Sequence, residues 1–392
     1  MIKRVVIFGG HIQALGLARQ VKARGIEVVI VTDDGCSVAR FSRAVDRTII
    51  CRNGVDDWSK VIGSLELPDK ETLLFPTNDE AVEMLCGSYE EYKKRFALGV
   101  PEPKVIELFN DKRRAYRFAE ASGVHCPKCW YPDTMEEVEA LSEELPYPVV
   151  VKPAVMYSFH ATFGKKAFRC DDAASLKATY ARIEAKKYPL ETLIVQEFLD
   201  GGAKNLYSCG VMAAEGEIIA SIQANRIRQN PMDFGNSTTY AISCFVPQIQ
   251  EHTEALLRMT NYSGVGEVEW MWDAKSETYK FLEINTRAWK WHTLSNMLGF
   301  SFIGAMMDWF DGKQPIPNNP SSDKKEKKQV AWVERLTDWT VVAKEILHGR
   351  MKLRDVMKSY KIPHESAVWS WKDPMPGMMY ILLSPILYVK RH

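Results

Sequence analysis

Two runs constrain the fold of this chain more than any other feature. They are Gly266-Glu-Val-Glu-Trp-Met-Trp-Asp273 and, after a short turn, Tyr279-Lys-Phe-Leu-Glu-Ile-Asn-Thr-Arg287. Alternation along each run predicts the two strands of a hairpin, with Glu267 and Glu269 on one face and Glu283 and Asn285 on one face of the partner. A turn centred near Ser276 sets Glu269 opposite Glu283 and Glu267 opposite Asn285. Like charges directly opposed on a sheet are destabilising, and a cation between them reverses that sign. Carboxylate and amide oxygens are hard ligands that suit Mg²⁺ carrying substrate phosphates. The hairpin therefore predicts a metal–nucleotide site at Glu269, Glu283 and Asn285, with Arg287 two residues further along the same face. A solvated hairpin with surface acids fits the same residues.

The length of 392 residues suits two or three domains and a sizeable core. A formal net charge of +1 gives no field that would favour nucleic acid as partner. The start, Met1-Ile-Lys-Arg-Val-Val-Ile-Phe-Gly9, has no apolar run before its glycines and reads as a first strand, not a signal peptide. The eight cysteines are scattered, so free thiols and a cytoplasmic location are expected. Cys126-Pro-Lys-Cys129 has C-x-x-C spacing, but no second pair at zinc-site spacing follows it.

Residues 4–9, a helix over 13–24 and a strand over 28–32 read as a βαβ unit. Its glycines, Gly9 and Gly10, lack the full dinucleotide-binding spacing, although Asp33 and Asp34 stand where a ribose-binding acid would sit. A strand over 72–76 runs into Thr77-Asn-Asp-Glu80, the kind of turn at which α/β sheets bind ligands. Helix capping by Asn78 or Asp79 fits equally. Pro101 and Pro103 mark a boundary, after which Asp111 can cap a helix over 112–121. Strands follow over 149–153, 165–169, 193–199, 207–211 and 218–224, with helices over 173–184, 252–262 and 301–310. Residues 315–329 read as a polar, lysine-rich solvated loop. The segment Met375–His392 is too short and too interrupted by proline to span a bilayer, which takes ~20 apolar residues. Packing on the body, contact with a membrane surface and contact with a partner all fit it.

Several residues suit phosphate chemistry. Lys152 ends the apolar strand Val149-Val-Val-Lys-Pro153, where an ammonium is costly unless it meets an anion; a snorkelling strand-end lysine is the plain alternative. Lys165 and Lys166 follow the loop 157–163 and Gly164, and could close over a triphosphate. The P-loop pattern is absent. Val195-Gln-Glu-Phe-Leu-Asp-Gly-Gly202 joins a strand to a glycine turn and offers apolar walls and backbone groups for a base. Arg226 and Arg228 share a face by alternation and suit an anion or a developing phosphoryl charge, or else guard an edge strand.

Taken in order, Phe75-Pro-Thr-Asn-Asp-Glu80, Asn110-Asp-Lys112, Gln196-Glu-Phe-Leu-Asp-Gly-Gly202, Asn205-Leu-Tyr-Ser208, Arg226-Ile-Arg-Gln-Asn-Pro231 and Glu283-Ile-Asn-Thr-Arg287 resemble the ATP-grasp superfamily. The resemblance covers roughly residues 5–310. It points to the carbamoyl-phosphate-synthase-like branch that includes D-aspartate ligases and related carboxylate–amine ligases. It implies an α/β fold: a Rossmann-like N-terminal domain (1–105), a two-lobed α+β ATP-grasp domain (106–310, lobes about 125–200 and 201–310) and a C-terminal extension (311–392). It implies ATP and Mg²⁺ as cofactors. Lys152 and Lys166, or its neighbour Lys165, would hold ATP phosphates, and Lys112 would also contribute to ATP binding. Gln196, Glu197, Phe198 and Leu199 would line the adenine slot, with Glu197 or Phe198 presenting backbone to the base. Asn205 stands where an acid would bind ribose. Glu269, Glu283 and Asn285 would bind Mg²⁺. Arg287, with Arg226 or Arg228, would stabilise the transferring phosphoryl group. Gly10, Asn78, Asp79 and Glu80 would help bind substrate. Trp289, Trp291 and His292 depart from the family pattern and could shape an acceptor pocket, with His292 a candidate base. A homodimer is a common arrangement in that family.

The implied reaction is ATP-dependent activation of a carboxylate as an acyl phosphate, followed by amide formation with an amine. Transfer of the acyl phosphate to another acceptor, a catalytically inactive nucleotide-binding module, and a dinucleotide-dependent dehydrogenase are the competing readings.

Overall fold

In the computed structural model the described residues are all but 66–69, 156–158, 160–161, 233–234, 236, 314–328 and 392. Parts of the expected phosphate loop 157–163 and most of the loop 315–329 thus lie outside the described residues.

The first sheet is parallel and holds β1 (Arg4–Phe8), β2 (Glu27–Thr32), β3 (Arg47–Ile50), β4 (Thr72–Pro76) and β5 (Ala97–Leu98), in the order β3-β2-β1-β4-β5. Its central strands are apolar runs buried on both faces, as a helix-covered parallel sheet requires. The strand order reverses between β1 and β4, so their C-terminal ends open a crevice at Gly9, Gly10 and Thr77–Glu80. The glycines there are fixed by close approach. A Cβ on Gly9, which has a φ of +103°, would lie 2.1 Å from Thr77 Oγ1, and one on Gly10 would lie 2.3 Å from Ser37 Oγ.

The second sheet is antiparallel: β6 (Cys129–Trp130), β7 (Val149–Pro153), β8 (Phe168–Cys170) and β9 (Leu193–Glu197), in the order β6-β9-β7-β8. Helices Met135–Ser142 and Ala173–Glu184 supply apolar residues to its core, among them Val138, Leu176 and Tyr180. The strand expected over 165–169 begins only at Phe168, which leaves Lys165 and Lys166 in the bend before it.

The third sheet has seven strands: β10 (Leu206–Ala214), β11 (Glu217–Asn230), β12 (Ser237–Cys244), β13 (Gly264–Asp273), β14 (Thr278–Asn285), β15 (Ala331–Val333) and β16 (His364–Ser366). Their order is β14-β13-β10-β11-β12-β15-β16. Residues beyond 310 are therefore built into this sheet through β15 and β16. The chain then returns to the N-terminal sheet, where Asp373 accepts from Arg19 Nε at 2.9 Å and from Ser42 Oγ at 2.6 Å. A common core of helix Ile12–Lys22, helix Phe302–Phe310, Trp289, Trp291 and Trp332 joins the first sheet to the third. The chain ends in helix Met375–Arg391, with Pro385 inside it. Among the described residues, no helix is long and apolar enough to cross a membrane.

Candidate active site

Glu269 pairs with Glu283 and Glu267 with Asn285 across β13 and β14, with a bulge between Glu269 and Trp270. The opposed acids do not stand alone. Lys112 Nζ lies 2.9 Å from Glu283 Oε2. Arg226, reaching over from β11, places Nη1 2.6 Å from Glu269 Oε1 and 3.7 Å from Glu267 Oε1. Asn285 Nδ2 donates to Glu269 Oε1 at 3.1 Å. Lys112 is the first residue of helix Lys112–Ala121, whose N-cap Asp111 accepts from the Arg113 N–H at 2.8 Å. A cation at a helix N-terminus opposes the helix dipole, so this placement is stabilised by Glu283 rather than by the helix. Lys112 is the main cause that holds the Glu283 carboxyl well below the usual carboxylate range, with help from Lys166 and Lys152. Glu267 behaves in the opposite way. Burial pushes its pKa up to about 7 against the pull of Arg226, and its Oε1 accepts from Trp291 Nε1 at 2.8 Å.

Two further lysines face this hairpin. Lys152 Nζ lies 2.9 Å from Tyr116 Oη and 5.2 Å from the centre of that ring. Tyr116 Oη in turn donates to Gln196 Oε1 at 3.2 Å. Among the described residues Lys152 has no ion pair. Burial, then the nearby Lys112, lowers its pKa to about 8. Lys166 is likewise lowered by burial while it feels the opposing charges of Glu283 and Glu269. Its neighbour Lys165 is exposed and lies 5.7 Å from the Phe168 ring centre. Of the two candidates, Lys166 is the one turned toward the acids.

The Gln196–Leu199 segment leaves β9 beside this cluster. Its N–H groups are mostly taken: Glu197 N–H bonds to Lys128 O at 2.9 Å and Phe198 N–H to Pro148 O at 3.2 Å. The expected backbone contribution of Glu197 or Phe198 is therefore limited to carbonyl oxygens. Lys128 N–H donates to the Glu197 side chain at 2.8 Å, and Lys280 also pairs with that carboxylate. Asn205 donates to Asp200 O at 3.1 Å and packs against Gly201, so it holds the turn.

The remaining candidates divide. Arg287 lies against Asp79, with Nε on Oδ1 at 2.5 Å and Nη2 on Oδ2 at 3.3 Å. This fork joins the hairpin to the crevice of the first sheet. Asn78 caps helix Asp79–Gly87 by accepting from Ala81 N–H at 3.0 Å, and Glu80 is the second residue of that helix. Gly10 packs on Ser37 at the crevice wall.

Arg228 does not join the site. Its Nε and Nη2 each lie 2.8 Å from the buried Asp338 carboxylate, and its guanidinium sits 4.0 Å above the Tyr240 ring. Bulges between Asn225 and Arg228, and between Arg228 and Gln229, break the simple alternation that placed it beside Arg226. His292 is not placed to act as a base. It is buried, with Nε2 3.1 Å from Gln13 O, an arrangement that requires that nitrogen to carry the proton. Burial lowers its pKa to about 4. Trp289 and Trp291 are likewise core residues, with ring centres 5.4 Å apart. Cys126 and Cys129 are free thiols, and burial pushes Cys129 up to about 12.

Tyr116 was not among the sequence candidates, and two residues noted in the sequence take unexpected roles: Glu267 as a partner of Arg226 and Trp291 as its hydrogen-bond donor. Tyr116 carried a signal, since Lys112 and Tyr116 at i and i+4 share a helix face. The residues present fit a divalent cation bound with phosphates. Among the described residues no three acidic, histidine or cysteine side chains converge. Glu269 and Glu283 stand in register beside Asn285, and two carboxylates with an amide side chain make a donor set that suits Mg²⁺ completed by phosphate oxygens.

A small antiparallel sheet and a larger one, with lysines from the first directed at paired acids on the second, define a nucleotide-dependent ATP-grasp protein. The model of the carbamoyl-phosphate synthase L chain, ATP binding domain, matches residues 111–307, and the chain belongs to that family. Among its relatives is the D-aspartate ligase of Enterococcus faecium, 24% identical over 300 residues that cover 72% of this chain and 70% of that protein. Another is the mitochondrial arginine-specific carbamoyl phosphate synthase large chain of Neurospora crassa, 22% identical over 280 residues. The match covers 69% of this chain but only 23% of that protein's length. The ADP complex of an N5-carboxyaminoimidazole ribonucleotide synthetase superposes with a TM-score of 0.65 at 15% identity, covering 89% of this chain and 85% of that one. At that identity the likeness is one of fold.

Proposed function

We propose that this protein is an ATP- and Mg²⁺-dependent ligase that activates a substrate carboxylate as an acyl phosphate and joins it to an amine. One observation carries the reading. Lys112 and Arg226 are matched to Glu283 and Glu269. Lys152 and Lys166 face the same acids yet have no ion pair among the described residues. Half-buried ammonium groups without a carboxylate partner carry a desolvation cost, and the phosphates of ATP would supply the missing anion. In this reading residues 106–310 hold the nucleotide and residues 1–105 contribute the substrate side through the crevice at Asp79.

Each residue then has a task. Lys152 and Lys166 bind and orient phosphates, and Tyr116 fixes the Lys152 ammonium. Glu269, Glu283 and the Asn285 amide oxygen would hold Mg²⁺, which when bound neutralises phosphate charge as the phosphoryl group moves. The substrate carboxylate attacks the γ-phosphorus and ADP leaves. The amine then attacks the acyl carbon, forms the amide and releases phosphate. In this reading Arg287 and Arg226 would balance the charge that develops on the oxygens. No side-chain nucleophile is required.

The test is phosphate release from Mg-ATP against panels of acids and amines, with products weighed by mass spectrometry. A product with the mass of acid plus amine less water supports the reading. ATP binding with no turnover on broad panels, unchanged by Glu283→Ala, would favour a non-catalytic module.

A further inference from the structure

Helix Met375–Arg391 packs on the N-terminal unit through one side only. Tyr380 is buried, and a Cβ on Gly377 would lie 2.4 Å from the Trp369 ring. The opposite side is apolar and open. Met375 is 50% exposed, Met378 49%, Ile381 58%, Leu382 67% and Ile386 48%. Their spacing of three to four residues puts them on one face of the helix. Trp371, 86% exposed, stands just before the helix. Such a contiguous apolar strip calls for a partner surface.

Charge indicates which surface. Residues 374–392 contain no Asp or Glu, while Lys372 precedes the helix and Lys390-Arg391 form its last turn. The nearest acid, Asp373, is buried on Arg19 and Ser42. A pairing of two copies through this helix would bring together two segments that each carry basic residues and no acid. An anionic lipid surface meets both features: the apolar strip enters the boundary between headgroups and acyl chains, and the flanking basic residues meet lipid phosphates.

We propose that the outward face of helix Met375–Arg391 docks this protein on a membrane surface that carries anionic headgroups. The contact is peripheral, because no described helix can cross a membrane, and it does not depend on the ligase reading.

The experiment is co-sedimentation of the full chain with vesicles of mixed phosphatidylglycerol and phosphatidylcholine, and with vesicles of phosphatidylcholine alone. The chain should pellet with the anionic vesicles, and raised salt should weaken the binding. The exposed-site double variant Ile381→Glu with Leu382→Glu, checked for an unchanged melting temperature, should bind about tenfold or more weakly. Lys372→Gln should cost roughly fivefold. Absence of binding to anionic vesicles, equal binding to neutral ones, or full binding by the double variant would overturn the proposal. So would a dimer in vesicle-free solution that the double variant splits while vesicle binding is absent.

Discussion

The Lys112 ammonium lies 2.9 Å from Glu283 Oε2, at the start of a helix whose dipole disfavours it. Glu283 stands in register with Glu269, whose charge is met by Arg226 at 2.6 Å. Each acid of the opposed pair thus has its own cation, drawn from a different element. That is how a hairpin can keep two facing carboxylates without a bound metal and still offer them to one.

Breaking the Lys112–Glu283 pair should affect both folding and turnover. Lys112→Met leaves a largely buried carboxylate unpaired, which costs about 3 kcal/mol. Because the Glu283 carboxyl titrates below its ordinary range, its contribution is present above the unfolded carboxylate pKa and is lost as pH falls through the lower folded value. Urea unfolding below about pH 5 should therefore show a steeper loss of stability in the parent chain than in the variant. A variant with parental stability and parental acid sensitivity would contradict the pairing.

Lys152 should govern the alkaline limb of nucleotide binding. Its pKa of about 8 means that the ammonium is lost as pH rises through that value. The KM for ATP should accordingly rise above about pH 8, while Lys152→Met should bind ATP weakly at every pH. Loss of one charge-assisted hydrogen bond of about 2 kcal/mol corresponds to roughly 30-fold. The unfolded chain holds this proton to higher pH, so the parent's stability should increase between about pH 8 and pH 10 from this group. Tyr116→Phe, which keeps the ring but removes the hydroxyl, should raise KM several-fold with little change in melting temperature.

Arg226 and Arg228 should give opposite phenotypes although they are two residues apart. Arg228→Ala strands the buried Asp338 and should destabilise by about 3–5 kcal/mol. Replacing both partners, Arg228→Met with Asp338→Leu, should recover much of that loss, and activity per folded molecule should persist. Arg226→Lys should instead lower turnover with a smaller change in unfolding midpoint. Equal loss of turnover in the Arg228/Asp338 double variant would place Arg228 in the chemistry after all.

His292 should leave no mark on the pH–rate profile. With its pKa lowered to about 4 by burial, it is neutral throughout the working range. In the unfolded chain it gains a proton near pH 6.5. Stability should therefore fall as pH drops from about 6.5 toward 4, and His292→Asn should flatten that slope. An activity limb near pH 6.5 that disappears in His292→Asn would revive its role as a base.

Local pattern made much of this site readable. Alternation with a turn near Ser276 anticipated the Glu269–Glu283 and Glu267–Asn285 register, but beside the turn the strands pair one residue differently, Trp270 with Phe281, and it is the bulge after Glu269 that brings the two acids opposite each other. Lys152 was legible as a strand-end cation that an anion would suit, with a snorkelling lysine as the plain alternative. The limits are equally specific. Alternation put Arg228 beside Arg226, but two bulges and a carboxylate 110 residues further on drew it away. Lys165 and Lys166 are equivalent in sequence, and only the bend before β8 decides which one faces the acids.

The sequence by itself determined which residues share a strand face, where the parallel unit lies and which segments carry metal-type oxygens and phosphate-type cations, since these follow from periods of two to four residues. Only the tertiary structure decided which cation meets which acid, that Tyr116 holds Lys152, that Arg287 reaches across to Asp79, and that residues beyond 310 complete the third sheet. Those pairings join groups up to 208 residues apart. They are set by how the sheets pack, and no local propensity records that.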